Sequence, residues 1–328
     1  MNPSRHFSAA VLAAAAALSG VAGSAGAASL TTVGSVDAAA RPAGVPTNYV
    51  VTPNGLFHPS CVVALSPGEK LAADGAVLRA DGSTRRAAGT CQHPRFVMQG
   101  GVAVAVPPGA ERPLFSGWIA ASDSDANVTP PASKMTGNYV VPSGPTTNVG
   151  QVLYYFPGLE DGQNVVTILQ PVLAWNGFSD AKWTVTNWNC CKSGTTYHGS
   201  TIAAATGDKI KTSMAGSSCN VGGGTCPNWQ IISTNKRTGQ KTTFDTQSYG
   251  QRFTWYFGGA KEAYFVTQCS HFPANGSIKF SGLHVYDMAG AESTPASWSQ
   301  FVSGGAPACH YEVATTTHTT KIRFDTSP

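Results

Sequence analysis

Residues 165–173 read Val165-Val166-Thr167-Ile168-Leu169-Gln170-Pro171-Val172-Leu173, and this run decides the fold class. Both faces of its two-residue period are apolar, so it predicts a strand buried on both sides or lining a covered cleft. Gln170 falls on the face of Val166, Ile168 and Val172, where an amide needs hydrogen-bond partners or a solvated groove. Strand-like runs recur on either side, among them 138–142, 151–156, 182–189, 252–257, 262–268 and 277–287. Asp161-Gly162, Asn176-Gly177, Thr238-Gly239 and Asn275-Gly276 punctuate them as turns. No helical periodicity of useful length interrupts the series. About a dozen strands in roughly 190 residues predict an all-β chain, with residues 137–328 forming an antiparallel two-sheet β-sandwich of the lectin-like jelly-roll kind.

Upstream, the composition changes. Arg5 and His6 precede an apolar run from Ala9 to Val21, and Ala25-Gly26-Ala27 supplies a small-x-small cleavage pattern. Residues 1–27 therefore read as a signal peptide, too short in its apolar run for a membrane span. Residues 28–47, rich in Ala, Gly, Ser, Thr and Pro, are expected to be disordered. Residues 48–119 read as a small β-rich N-terminal domain or propeptide, with hairpin signals at Asp74-Gly75 and Asp81-Gly82. The polar, Pro-containing stretch 120–136 reads as the linker to the sandwich.

Eight cysteines lie beyond the signal, an even number that fits a disulfide framework in an oxidising compartment. Spacing suggests Cys61 with Cys91, Cys219 with Cys226 and Cys269 with Cys309. Cys190 and Cys191 are adjacent and remain either bonded to each other or a pair of thiols. There are no paired CxxC motifs and no HExxH, so no metal site and no cofactor are expected. Charged residues make up only 12% of the chain and the net charge is +4, scattered rather than striped, which argues against nucleic acid as a partner. These features together predict a secreted, monomeric protein.

Candidate chemistry rests on few residues. Past residue 136 the glutamates are Glu160, Glu262, Glu292 and Glu312. Glu262 shares a strand face with Tyr264 and Val266, and a carboxylate beside aromatic, apolar neighbours has its pKa raised, which suits a general acid/base. Glu160, at the end of the Tyr154–Leu159 run, reads as a loop residue. Aromatic side chains fill sandwich cores, and they also stack on sugar rings or peptide in a cleft. Tyr154, Trp175, Trp183 and Tyr264 are the candidates for the second use. Asp208 and Asp245 could join a glutamate in a glycosidase pair, without any spacing that singles them out. No GxSxG elbow is present.

The order of Tyr154-Tyr155-Phe156-Pro157-Gly158-Leu159-Glu160, Ile168-Leu169-Gln170-Pro171, Gly207-Asp208-Lys209-Ile210, residues 235–242 and Glu262-Ala263-Tyr264 resembles the glutamic peptidases of the eqolisin and neprosin groups. The resemblance covers about residues 137–290 and implies a lectin-like β-sandwich with a catalytic pair on its concave sheet. It would place the glutamine role on Gln170 and the glutamate role on Glu262, acting on a polypeptide substrate without metal. A non-catalytic glycan-binding module, or a glycoside hydrolase, is the alternative on the same fold.

Overall fold

The computed structural model describes residues 29–110, 116–125, 129–163, 167–178, 180–247, 249–303 and 307–327. The expected signal peptide, 1–27, lies outside them. The described residues form strands and short 3₁₀ turns, without an α-helix. The N-terminal region supplies β1 (Val50–Thr52), β2 (Gly55–Phe57), β3 (Val62–Ala64), β4 (Lys70–Leu71), β5 (Val77–Leu78), β6 (Thr84–Arg86), β7 (Arg95–Gln99) and β8 (Val102–Val106). Next come β9 (Trp118–Asp123), β10 (Ala132–Val140), β11 (Val152–Glu160), β12 (Ile168–Trp175), β13 (Trp183–Cys190), β14 (Thr196–His198), β15 (Ile202–Ala204) and β16 (Lys209–Ser217). The chain ends with β17 (Asn228–Asn235), β18 (Lys241–Gln247), β19 (Trp255–Tyr264), β20 (Ser277–Asp287), β21 (Ser299–Val302), β22 (Glu312–Thr316) and β23 (Thr319–Arg323).

Two large sheets stack as a β-sandwich. One has ten strands in the order β22-β23-β20-β10-β16-β17-β18-β4-β5-β6; the other has nine, β21-β9-β19-β11-β12-β13-β14-β3, with β15 also on β13. Between them lies an apolar layer that includes Tyr139, Leu153, Tyr155, Leu169, Leu173, Phe244, Phe280 and Ile322. A third, four-stranded sheet, β1-β2-β7-β8, covers the other face of the nine-stranded sheet.

This arrangement corrects the expected division of the chain. Residues 48–119 are not a separate unit: β3 pairs in parallel with β14, β4 pairs in parallel with β18, and Val63, Leu65, Leu71 and Val77 belong to the inter-sheet core. The expected linker 120–136 carries most of β9, which is paired on both sides by β19 and β21, and the start of β10. Its polar composition misleads because β9 is covered on both faces: Ala120 enters the inter-sheet core, Ala121 packs under the four-stranded layer, and Ser122 is buried with Ala120 on the inner side. Residues 29–47, expected to be disordered, instead bury Val33, Val36 and Val45 against the nine-stranded sheet, and apolar burial of that kind fixes a segment of any composition.

Four disulfides join Cys61–Cys91, Cys190–Cys191, Cys219–Cys226 and Cys269–Cys309. No helix among the described residues is long and apolar enough to cross a membrane.

Candidate active site

Alternation along β12 sorts its side chains between two environments. Leu169, Leu173 and Trp175 enter the inter-sheet core, whereas Val172 and Ala174 face the four-stranded layer. Gln170, in phase with Val172, is on that outer face and fully buried. The same sorting operates on β19. Lys261 points inward, with its ammonium 3.2 Å from the ring centroid of Phe272 and 3.4 Å from that of Phe324. Glu262 points outward beside Tyr264 and is also fully buried.

Gln170 and Glu262 thus share one face of one sheet, but the ladders keep them apart. With Leu159 opposite Leu169, the β11–β12 register sets Gly158 beside Gln170. Across β11, Gly158 stands opposite Phe257, while Glu262 stands opposite Tyr154, four residues further along. At ~3.3 Å per residue and ~4.8 Å per strand, the two are about 13 Å apart along the strands and about 10 Å across them. One water cannot touch both.

A different carboxylate stands near the glutamine. Glu160 is not a loop residue; it is the last residue of β11, 1% exposed, and pairs with Ile168. Leu159 enters the inter-sheet core, so Glu160 is turned outward, onto the face of Gln170. Being opposite Ile168, it is the diagonal neighbour of Gln170, at a Cα separation of ~7–8 Å that two long side chains can bridge. The sequence carries no alternation that marks Glu160: 154–159 holds no polar side chain but the tyrosine hydroxyls, and Pro157-Gly158 suggests a turn where the strand continues.

The cover is made by the N-terminal hairpin. Asn54 Nδ2 donates to Gln170 Oε1 (3.2 Å), and the Tyr154 hydroxyl donates to the Val51 carbonyl (3.0 Å). Gln170 Nε2 is buried and has no hydrogen-bond partner among the described residues. Gly158 lets its neighbours close over the strand: a Cβ there would lie 3.3 Å from the Leu169 carbonyl oxygen, 3.4 Å from the Phe257 ring and 3.7 Å from Ile168. Arg95, from β7, lies 5.7 Å over the Phe57 ring and directs its guanidinium at the Cys190–Cys191 disulfide; burial lowers its pKa to about 10. Neither Asn54 nor Arg95 has a sequence signal that tells it from other polar residues.

Around Glu262 the chemistry differs. The Tyr264 hydroxyl donates to Glu262 Oε1 and lies 2.9 Å from Ser116 Oγ, which in turn accepts from the Met98 amide (2.9 Å). Burial pushes the Glu262 carboxyl well above its ordinary pKa, against the lowering effect of the Tyr264 hydrogen bond. That environment favours the protonated carboxyl over the carboxylate. A cleft of about 590 Å³ borders this end of the face, lined by Met98, Gly117, Trp118, Tyr264, Phe265 and Phe301 among others.

The four aromatic candidates divide evenly. Tyr154 and Tyr264 lie on the outer face, their rings 6.0 Å apart edge to face. Trp175 and Trp183 do not line it: they pack on each other at 5.3 Å inside the inter-sheet core, because they alternate in phase with Leu173 and Val185. Trp188, directly opposite Gln170, is a tryptophan that does lie on the outer face. Asp208 is held by Arg237 and Asn235 in a turn of the ten-stranded sheet, and Asp245 accepts from Gln230 on that sheet, so neither approaches Glu262. Among the described residues, the side chains grouped to hold a metal ion are His284, Glu292 and His318, also outside this face.

No protein-family model matches this chain, and no curated protein does. Among solved structures, the chain is similar to scytalido-glutamic peptidase with a peptide-based transition-state analogue, at 14% identity and a TM-score of 0.47, over 63% of this chain and 98% of that one. The same peptidase with a transition-state analogue inhibitor aligns at 13% identity and a TM-score of 0.44, over the same shares of the two chains. Tailspike protein 2 of bacteriophage CBA120, in its enzymatically active domain, aligns at 12% identity and a TM-score of 0.28, over 61% of this chain and 29% of that one.

Proposed function

We propose that this chain is an exported endopeptidase precursor of the glutamic type whose substrate groove is the outer face of the nine-stranded sheet. The observation that carries the reading is the occupant of that face. It is an extended piece of polypeptide, residues 51–54, whose backbone carbonyl accepts from Tyr154 and whose asparagine amide meets Gln170. A face that seats the chain's own extended segment in this way can seat another. Within its own sheet the hairpin meets β7 through one register pair, Leu56 opposite Phe96, and it precedes the first disulfide cysteine, Cys61. A cut between Phe57 and Cys61 would release it without breaking a disulfide.

In the opened groove Gln170 Nε2 would donate to a water that also donates to the Glu160 carboxylate. Glu160 would take the water's proton as the oxygen attacks the scissile carbonyl carbon. The Gln170 amide would then stabilise the oxyanion, a contribution of about 3 kcal/mol for one such donor. As the C–N bond breaks, Glu160 would return its proton to the leaving amine. Glu160 thus replaces Glu262 in the role the sequence resemblance implied, and Glu262 with Tyr264 would shape the far end of the groove.

One observation favours a second reading, a non-catalytic binding module. Opposite Gln170, in the row through Gly158, β19 presents Phe257 rather than an acid. The test is cleavage of a denatured protein at acidic pH after limited proteolysis within residues 57–61. Gln170→Ala and Glu160→Gln should each lower the rate by ~10²-fold or more, while Glu262→Gln retains it. Peptide binding without turnover in the opened wild-type protein would establish the binding module instead.

A further inference from the structure

On the ten-stranded sheet, far from the groove, three metal-ligating side chains from three segments meet at the surface. His284 comes from β20, Glu292 from the loop after it, and His318 from the turn between β22 and β23. One ligand atom from each lies within 4.8 Å of the others. His284 Nδ1 is 2.8 Å from Glu292 Oε1, His318 Nδ1 is 3.7 Å from the same oxygen, and the two imidazole centroids are 4.6 Å apart. We infer that these residues form a surface site for a borderline divalent cation such as Zn²⁺, with two imidazoles, one carboxylate and a position open to water.

The donor set fits that class of ion. Imidazole nitrogen suits zinc, copper and nickel, whereas calcium and magnesium seek oxygen alone. Tetrahedral ligands at ~2.0–2.1 Å from zinc stand ~3.3 Å from one another, so a contraction of about 1.5 Å at most brings the three into place. Their side chains are 37%, 44% and 45% exposed, which leaves them free to make that adjustment. The contact between His284 Nδ1 and Glu292 Oε1 is already shorter than a zinc-bridged pair, and the ion would take the place of the proton they share.

Supporting contacts hold the ligands as metal ligands are held. His318 Nδ1 lies 2.9 Å from the Leu283 carbonyl, so it carries the proton, and Nε2 rather than the Nδ1 atom 3.7 Å from Glu292 would be the ligand atom. The Thr294 hydroxyl donates to Glu292 Oε1 (2.9 Å), and an isolated bridge between Tyr286 and Glu292 folds the loop back onto β20. The ion would therefore pin the β22–β23 turn and the loop after β20 to the sheet, a clamp that joins positions 34 residues apart in sequence.

The test uses the full secreted protein, stripped with chelator and titrated with ZnCl₂ by calorimetry at neutral pH. One equivalent should bind, with Ca²⁺ and Mg²⁺ inert at the same concentrations. His284→Ala, His318→Ala and Glu292→Gln should each weaken binding by at least ~10-fold. His58→Ala should not, although His58 stacks on His93 at 3.7 Å and is the other surface imidazole pair. Co²⁺ substituted for zinc should give visible absorption in the wild type that is lost in His318→Ala, with unchanged circular dichroism in both. No binding of Zn²⁺, binding that survives in the His284→Ala/His318→Ala double variant, or binding lost in His58→Ala overturns the site.

Discussion

The two large sheets of this protein are built from the same kinds of residue and yet are buried in different ways. On the ten-stranded sheet β16, β17 and β18 alternate buried and exposed positions, so one face meets the sandwich core and the other meets solvent. On the nine-stranded sheet β11, β12 and β13 are buried at every position. The difference is the third layer: residues 29–57 and the four-stranded sheet cover the outer face of one sheet and leave that of the other open. A doubly covered sheet can hold polar groups such as Gln170, Glu160 and Glu262 away from water, where hydrogen bonding and protonation are set by neighbours rather than by solvent. A singly covered sheet offers exposed side chains, and the candidate metal site lies there.

The largest expected contrast is in packing. Trp188→Ala, on the covered face, should lower stability by ~3–5 kcal/mol, whereas Gln230→Ala, on the open face, should stay within ~0.5 kcal/mol. Guanidinium denaturation midpoints measure both, and equal effects would break the distinction between the faces.

Second is Lys261, which reaches from the nine-stranded sheet into the inter-sheet core and has no hydrogen-bond partner for its amine among the described residues. Lys261→Met should raise stability at neutral pH by ~1–3 kcal/mol, the cost of an unsatisfied buried polar group. Burial holds the Lys261 pKa well below the usual lysine range, so the unfolded chain binds the proton more readily. Wild-type stability should therefore fall as pH drops below ~10, and that component should vanish in the variant. A wild-type pH profile identical to that of Lys261→Met would contradict it.

Third, two carboxyls should respond to pH with opposite signs. Glu262, raised by burial, favours the folded state when protonated, so its contribution fades as pH rises through the ordinary carboxylate range toward its folded value. Glu262→Gln should raise the denaturation midpoint at pH 7. Asp208 in the ten-stranded sheet is lowered, first by its hydrogen bond from Arg237. Its contribution is present at neutral pH and fades as pH falls below ~4. Asp208→Asn should therefore lower the midpoint at pH 7.

The smallest effect sharpens the account of the cover. Tyr154→Phe removes the bond to Val51 and should cost about 1 kcal/mol. Amide hydrogen exchange at residues 50–57 should accelerate by roughly 5-fold, with the amides of β16–β18 unchanged. If exchange instead quickens uniformly, the hairpin is not an independently opening layer.

Much of the sandwich was legible in the chain. The run ending in Gln170-Pro171-Val172-Leu173 announced a strand covered on both sides, and β12 is one. Alternation put Gln170 on the face of Val172, and Glu262 on the face of Tyr264. Trp175 and Trp183 were misplaced because aromatic content says that a ring is buried and not on which side; the phase with Leu173 and Val185 says that. Glu160 reads as a loop residue because the strand predicted over 151–156 stops before Pro157-Gly158, whereas β11 runs through both to Glu160.

What the sequence determined by itself is the local pattern: strands, their faces, turns, and a set of cysteines spaced for local bridges. These depend on a two-residue period and on short loops, which a linear reading contains. What only the tertiary structure decided is which distant elements meet. It set β19 on β11 in a register that separates Glu262 from Gln170 and leaves Glu160 beside it. It also laid residues 29–57 over that face, and gathered His284, Glu292 and His318 at one surface point. Strand order and register are cooperative properties of the whole packed molecule, fixed by how much apolar surface each arrangement buries, and no local stretch of residues encodes them alone.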